Sequence, residues 1–338
     1  MAERDLDRLR SLAAAQVAGE GPALLAGAVE EARRRVHAEL VELAAEALRA
    51  EVLQPHGSGP LPAAAADEEG AEGPGDTGTA WYVYCVVGSG FSAPAGEPGI
   101  DPGHELQTIE HQGLAAVVSR VPLGEFDEQP LRERLSDMHW LERTVRSHER
   151  VVETVARQAT AIPMRLCSVY RRADGVRAML AREGASLRAA LDRLAGTSEW
   201  GVKGFALADL PPAAAATTLE NASRETEGTA YLQQRLRSRQ RRAETDANRD
   251  RACRLAHEAL AALALESRVN PVQRQELSGR DEPMVLNTAY LVRDADLTAF
   301  RSELERSARE AGAAGLELEL TGPWPPYNFV PDAIAGSR

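Results

Sequence analysis

Leu316-Glu-Leu-Glu-Leu-Thr-Gly-Pro-Trp-Pro-Pro-Tyr-Asn-Phe-Val330 changes character partway along. Its first five residues alternate apolar and acidic, the pattern of a strand with one buried face. From Gly322 onward, three prolines and three aromatics share nine positions in a chain that is only 4% aromatic. Pro323, Pro325 and Pro326 lack the N–H that a sheet ladder uses, so strand pairing is expected to stop there. Their fixed φ favours polyproline II, whose three-residue repeat would set Trp324 and Tyr327 on one edge. The expectation is the last strand of a sheet, leaving it as a stiff aromatic tail.

Two readings of that tail follow. It can fold back over its own domain, since large aromatics are usually buried and undocked tails are usually disordered. It can also be a preorganised docking surface for another protein. Burial tendencies favour packing, with Tyr327 or Phe329 still reaching a partner. Trp324, Tyr327 and Phe329 are therefore the candidate interaction residues.

Working back from the tail, the elements read strand (Glu199–Leu207), long helix (229–263), strand (265–270), strand (284–292), helix (294–311) and strand (316–321). That is βαββαβ, the ferredoxin-like order. Asp294 stands where an N-cap belongs, and Gly312 and Gly315 mark the far end of its helix. The long helix carries eight arginines over 231–254 against Glu244, Asp246 and Asp250. Its core stripe is expected to return at Leu255, Ala259, Leu260 and Leu263. Its first half reads as a solvated helix, or as a contact for an acidic partner such as this chain's own N-terminus.

Upstream lies another α+β unit. Trp81-Tyr-Val-Tyr-Cys-Val-Val87 is β-rich, and 106–109 with 114–119 flank a short turn at His111-Gln-Gly113, a hairpin pattern. Met138, Leu141, Val145, His148, Val152 and Val155 fall on one helical face. A short extended piece at 161–166 follows, then a helix over 176–194, kinked at Gly184. Residues 54–79 are rich in Pro, Gly, Ala and acid and read as a linker. Before it, Leu25, Val29, Val36, Leu40, Leu43 and Ala47 form an apolar helical stripe that needs a partner. The division is thus residues 1–79 as an acidic helical appendage and linker, 80–196 as an N-terminal α+β domain, and 197–338 as a C-terminal ferredoxin-like domain with its tail. The fold class is α+β, with two small α/β sandwiches.

Composition narrows the function. The formal charge is −12, and 15 acids against 7 arginines lie within residues 1–79, so no nucleic-acid partner is expected. No apolar run approaches the roughly 18–20 residues of a membrane span. The charged N-terminus does not resemble a signal peptide, so a cytoplasmic protein is expected. Cys85, Cys167 and Cys253 are dispersed without a CxxC spacing and read as reduced, partly buried thiols.

Catalytic signatures are lacking. Lys203-Gly-Phe-Ala overlaps an RNA-recognition consensus, but on the first strand rather than the third and without the later stacking ring. His139 and His148 are nine residues apart, HExxH is absent, and His148 reads as a hydrogen-bonded core residue. Gly88-Ser-Gly90 lacks the third glycine of a dinucleotide loop, and no P-loop or GxSxG is present. No cofactor, metal or catalytic residue is expected.

Several of these blocks resemble the GvpF/GvpL family of gas vesicle proteins. The most specific is Gly322-Pro-Trp-Pro-Pro-Tyr-Asn-Phe329, similar to the family's C-terminal signature. Glu199-Trp-Gly-Val-Lys203, Leu286-Asn-Thr-Ala-Tyr-Leu-Val292, the Trp81–Val87 strand and the helix around His148-Glu149 are similar to further blocks. Two departures stand out: Met164-Arg-Leu-Cys-Ser168 keeps only the Arg of the usual Leu-Arg-Phe-Gly-Thr, and the appendage is not a general family feature. The resemblance implies an accessory or minor structural protein needed for gas vesicle assembly, acting by contacts with the shell protein and other gas vesicle accessory proteins. The alternative is a ligand-binding or enzymatic module on a ferredoxin-like sheet, a fold that hosts many functions.

Overall fold

The computed structural model describes residues 78–207, 224–273 and 280–330. The appendage and linker expected over 1–79 lie outside the described residues except for their last two. The first sheet is built on β1 (Thr79–Gly88), buried from Ala80 to Val87. β2 (Gln107–His111) and β3 (Leu114–Pro122) form the expected hairpin, turning through Gln112 and Gly113 at φ 46° and 83°. Left-handed backbone at both positions is what a two-residue hairpin turn requires. Short helices α1 (Leu123–Phe126) and α2 (Glu128–Arg134) lead into α3 (Met138–Ala156). Asp137 caps α3 by accepting from the backbone N–H groups of His139 and Trp140 at 3.0 and 3.2 Å. β4 (Ala161–Pro163) and β5 (Val169–Tyr170) both pair with β1, and α4 (Ala173–Arg182) and α5 (Gly184–Leu194) follow, divided at Glu183.

The sheet order is β2-β3-β1-β4. This is the ferredoxin-like order again, with the irregular segment 89–106 where the first helix would run. That segment is pinned to the sheet. Tyr84 Oη accepts from the Ile100 N–H at 2.7 Å and lies 2.7 Å from Ser119 Oγ. Gly99 sits so close that a Cβ there would lie 2.2 Å from Ser119 Oγ.

Both faces of β1 are buried. Tyr82, Tyr84, Cys85 and Val87 meet Leu141, Val145, Val152 and Val155 of α3. Trp81, Val83 and Val86 meet Val176, Leu180 and Leu187 of the α4–α5 pair. Met138, expected on the α3 stripe, is 46% exposed because it occupies the first turn, beyond the sheet. His148 is buried, with Nδ1 3.0 Å from Tyr82 Oη. That oxygen also accepts from the Cys167 N–H at 2.9 Å. Burial, opposed by the Met164 backbone, lowers the His148 pKa to about 4.

The second sheet contains β6 (Thr197–Ala206), β7 (Glu266–Val269), β8 (Met284–Arg293) and β9 (Leu316–Trp324) in the order β7-β8-β6-β9, each pair antiparallel. α6 (Arg224–Ala261) and α7 (Leu297–Gly312) cover one face, where Leu260, Phe300 and Leu304 pack on Trp200, Val202, Tyr290 and Leu316. The fold is therefore α+β with a βαββαβ second sheet.

Three local expectations need correction. Asp294 does not cap α7: it opens a short 3₁₀ turn, and its Oδ1 accepts from Ser198 Oγ at 3.0 Å, tying that turn to β6. Leu255 is not on the core stripe: Cys253, Ala256 and Leu260 point inward, which rotates Leu255 outward to 53% exposure. β9 does not stop at Thr321. Its register jumps from Thr321 opposite Gly201 to Trp324 opposite Glu199, so the proline without an N–H falls in the bulge and pairing resumes beyond it.

The other face of the second sheet is covered in two ways. Ala289 and Leu291 join the Trp81–Val86 side of the first sheet. Further along, Arg280 reaches across to Glu317 Oε2 at 2.6 Å and Glu319 Oε2 at 3.3 Å and stacks over the Phe205 ring at 4.3 Å.

Candidate protein-docking site

After β9 the chain does not continue as polyproline II. Pro326 has ψ 57°, and Tyr327–Phe329 wind into a 3₁₀ turn whose N–H groups reach back to Pro325 and Pro326 carbonyls. Trp324 and Tyr327 consequently do not share an edge. The turn carries the tail between the two sheets and sends its rings to different places.

Two polar clamps set this path. Buried Glu199 accepts from the Asn328 backbone N–H at 2.9 Å and from Asn328 Nδ2 at 2.6 Å, one bond to each carboxylate oxygen. Arg193 on α5 donates to the Phe329 carbonyl and pairs with Glu266 of β7. Both clamps escaped the sequence reading. The available signal was an acidic residue near the start of a buried strand, a position that burial makes costly unless donors face it.

Phe329 is 3% exposed and Val330 8%, both packed with Ala289, Leu291 and the α4–α5 side of the first sheet. Phe329 is thus a wedge between the sheets and is covered, contrary to its place among residues that could reach a partner. Half-buried Tyr327 packs on the opposite core, beside Ala156 and Ala159. Its hydroxyl is enclosed without a hydrogen-bond partner. Burial first, then the charges of Glu149 and neighbouring acids, pushes its pKa well above the ordinary phenol value.

Trp324 is partly exposed, as Tyr327 is, but it faces a groove rather than a core. Its indole N–H donates to Thr321 Oγ1 at 3.2 Å, which fixes the ring's tilt. It forms one wall of a groove of about 540 Å³ at the junction of the sheets, with Leu194, Pro323 and Pro325 as apolar neighbours and Glu153, Arg157, Ser198 and Asp294 on the polar side. Glu153 and Arg157 are paired across one helical turn at 2.9 Å. A rigid indole on a proline frame in a concave, mostly apolar setting can receive an apolar side chain of another protein.

The groove holds no evident acid–base pair. The buried groups with strong shifts belong to cores: Tyr82, Tyr84, Cys85, His148 and Cys167 in the first unit, Tyr290 in the second, and Tyr327 where the tail packs on the first. Among the described residues no three His, Cys, Asp or Glu side chains are grouped to hold a metal, and no helix is long and apolar enough to cross a membrane.

Residues 80–331 match the family model described as gas vesicle synthesis protein GvpL/GvpF. Gas vesicle protein L of Streptomyces sp. (strain CB03234) is 39% identical over 252 residues, which cover 74% of this chain and 92% of that protein. Gas vesicle protein L2 of Halobacterium salinarum is 30% identical over 270 residues, covering 74% and 91%. The crystal structure of gas vesicle protein GvpF from Anabaena sp. PCC7120 superposes with a TM-score of 0.52 over 77% of this chain and 97% of that one. At 18% identity that likeness is one of fold.

Proposed function

The chain belongs to the GvpL/GvpF family of gas vesicle synthesis proteins, and from that premise we propose that it acts in gas vesicle assembly by docking the shell protein and other gas vesicle proteins in the cytoplasm. The groove beside Trp324 is the docking surface. One observation carries this choice: of the three tail aromatics, Phe329 and Tyr327 pack into the two cores of the first sheet, while partly exposed Trp324 lines a concave groove. The resemblance of the tail to the family signature thereby splits into two tasks, an internal wedge and an external ring. Nothing in the groove calls for a chemical step.

The test is genetic and biochemical. In a host carrying a complete gas vesicle gene cluster and no second family member able to substitute, deletion of this protein should abolish or sharply reduce vesicles seen by electron microscopy. Returning the Trp324→Ala variant should not restore them. The variant should stay folded, because a partly exposed ring outside the three hydrophobic clusters contributes less than the ~3–5 kcal/mol of a core Trp. Its binding to the shell protein in a pull-down should weaken by about 2 kcal/mol, roughly thirtyfold. Normal vesicles in the deletion strain would remove the assembly role. Unchanged binding and vesicle yield in the variant would remove the groove.

A further inference from the structure

α6 is longer than its sheet. At 38 residues it spans about 57 Å, yet among its described side chains the buried ones are Cys253, Ala256 and Leu260, near its C-terminal end. Residues 235–244 are exposed on every side. Within them Arg235, Arg237, Arg239, Arg241 and Arg242 occupy eight positions without an acid. None of the five is ion-paired among the described residues. Where α6 runs beside α7, the two helices leave a groove of about 670 Å³. Ala252, Leu255, Ala256, Ala259, Ala311 and Ala314 line it, and Arg251 and Arg306 stand at its rim. Leu255, 53% exposed, is its largest apolar contact. Glu258 and Glu310 also line it, and Arg306 is paired with Glu303 and Glu310, so the cations offered to a partner are Arg251 and the exposed run of α6. A shallow wall of alanines with one leucine, continued by that run, fits the apolar stripe of another helix with acidic flanks.

The chain's own sequence contains such a segment. Residues 22–53 carry the stripe Leu25, Val29, Val36, Leu40, Leu43 and Ala47, flanked by Glu39, Glu42 and Glu46. The intervening residues 54–78 hold five acids and no Lys or Arg. At ~3.3 Å per extended residue that stretch can span up to about 80 Å, enough to reach any face of a body this size. The family match begins at residue 80, and the Streptomyces relative is matched over 92% of its length by 74% of this chain. The segment therefore lies outside the family match, while the arginine run of α6 lies within it.

We propose that residues 22–53 dock in cis as an amphipathic helix in the α6–α7 groove, the stripe over Leu255 and the alanines, and the glutamates toward the arginines of α6. This surface is separate from the Trp324 groove, and the proposal does not depend on that assignment.

Nitroxide labels at Ala38→Cys, off the stripe, and Arg254→Cys, exposed on α6 and outside the groove lining, test it in the full chain. The three native cysteines are buried, and the parent protein serves as the labelling control. Samples are diluted tenfold with unlabelled protein, so that only intramolecular pairs report. Packed helices lie about 8–10 Å apart, so docking gives one narrow distance distribution. Adding Leu255→Asp or Arg251→Glu should broaden it while circular dichroism stays unchanged. A broad distribution in the parent pair would overturn the proposal. So would a distance that vanishes on dilution, which would assign the groove to a second copy, or one that Leu255→Asp leaves intact.

Discussion

Phe329→Ala is the sharpest probe of how the two sheets are joined. The ring is 3% exposed and fills the space between Ala289 and Leu291 of β8 and the α4–α5 side of the first sheet. A buried Phe removes on the order of 200 Å² from water, worth about 5 kcal/mol at ~25 cal/mol per Å². Measured Phe→Ala losses in cores run ~3–5 kcal/mol, because the site relaxes partly. Here the lower half is expected. The ring is carried by a turn near the end of the tail, and with Glu199 and Arg193 still holding Asn328 and the Phe329 carbonyl, the turn can settle inward. At roughly 2–4 °C per kcal/mol for a body of this size, the melting temperature should fall by about 6–15 °C in calorimetry. Val269→Ala, at a side chain 64% exposed on edge strand β7, is the matched control and should change stability by no more than ~0.5 kcal/mol. If Phe329→Ala melts within about 2 °C of the parent, the tail is not wedged between the sheets, and the division of labour assigned to its three rings falls with it.

Two further outcomes follow from the fold. His148 has a folded pKa of about 4 against an ordinary 6.5. The unfolded chain therefore binds the extra proton first, and stability present above pH 6.5 is lost as pH falls toward 4, by about 3 kcal/mol from this group. His148→Gln cannot take up that proton, so the difference between parent and variant stability in urea melts should change across that window; a constant difference would show that the imidazole is not buried neutral. A shortened chain beginning at Thr79 should melt cooperatively within a few degrees of the full protein, because the described residues after it form three hydrophobic clusters of their own. Aggregation or a non-cooperative melt would place the Leu25–Ala47 stripe in the main core.

Much of the second sheet was legible because its signals are local. Alternation in Leu316–Leu320, β-branched and aromatic runs, and helical periodicity each act within one element, and their order alone indicates a ferredoxin-like sheet. The first sheet has the same strand order but was harder to see. Its first crossover is an irregular segment, held by Tyr84, Ser119 and Gly99 rather than by a periodic helix face. The tail divides the same way. Its prolines and rings marked it as the decisive stretch from composition alone. Whether pairing stops at Pro323 depended on β6, whose Glu199 lies opposite Trp324 beyond a bulge. Which ring is core and which is surface depended on where a 3₁₀ turn points three side chains, and a buried carboxylate more than a hundred residues upstream holds that turn. Leu255 makes the point on a helix: apolar in sequence, it faces outward because Cys253, Ala256 and Leu260 set the rotation of α6. Chain-local chemistry determined the elements, the distinctness of the tail and the family resemblance. The roles of Trp324, Tyr327 and Phe329 were decided only by tertiary structure, because burial is a property of what lies opposite a residue and not of the residue itself.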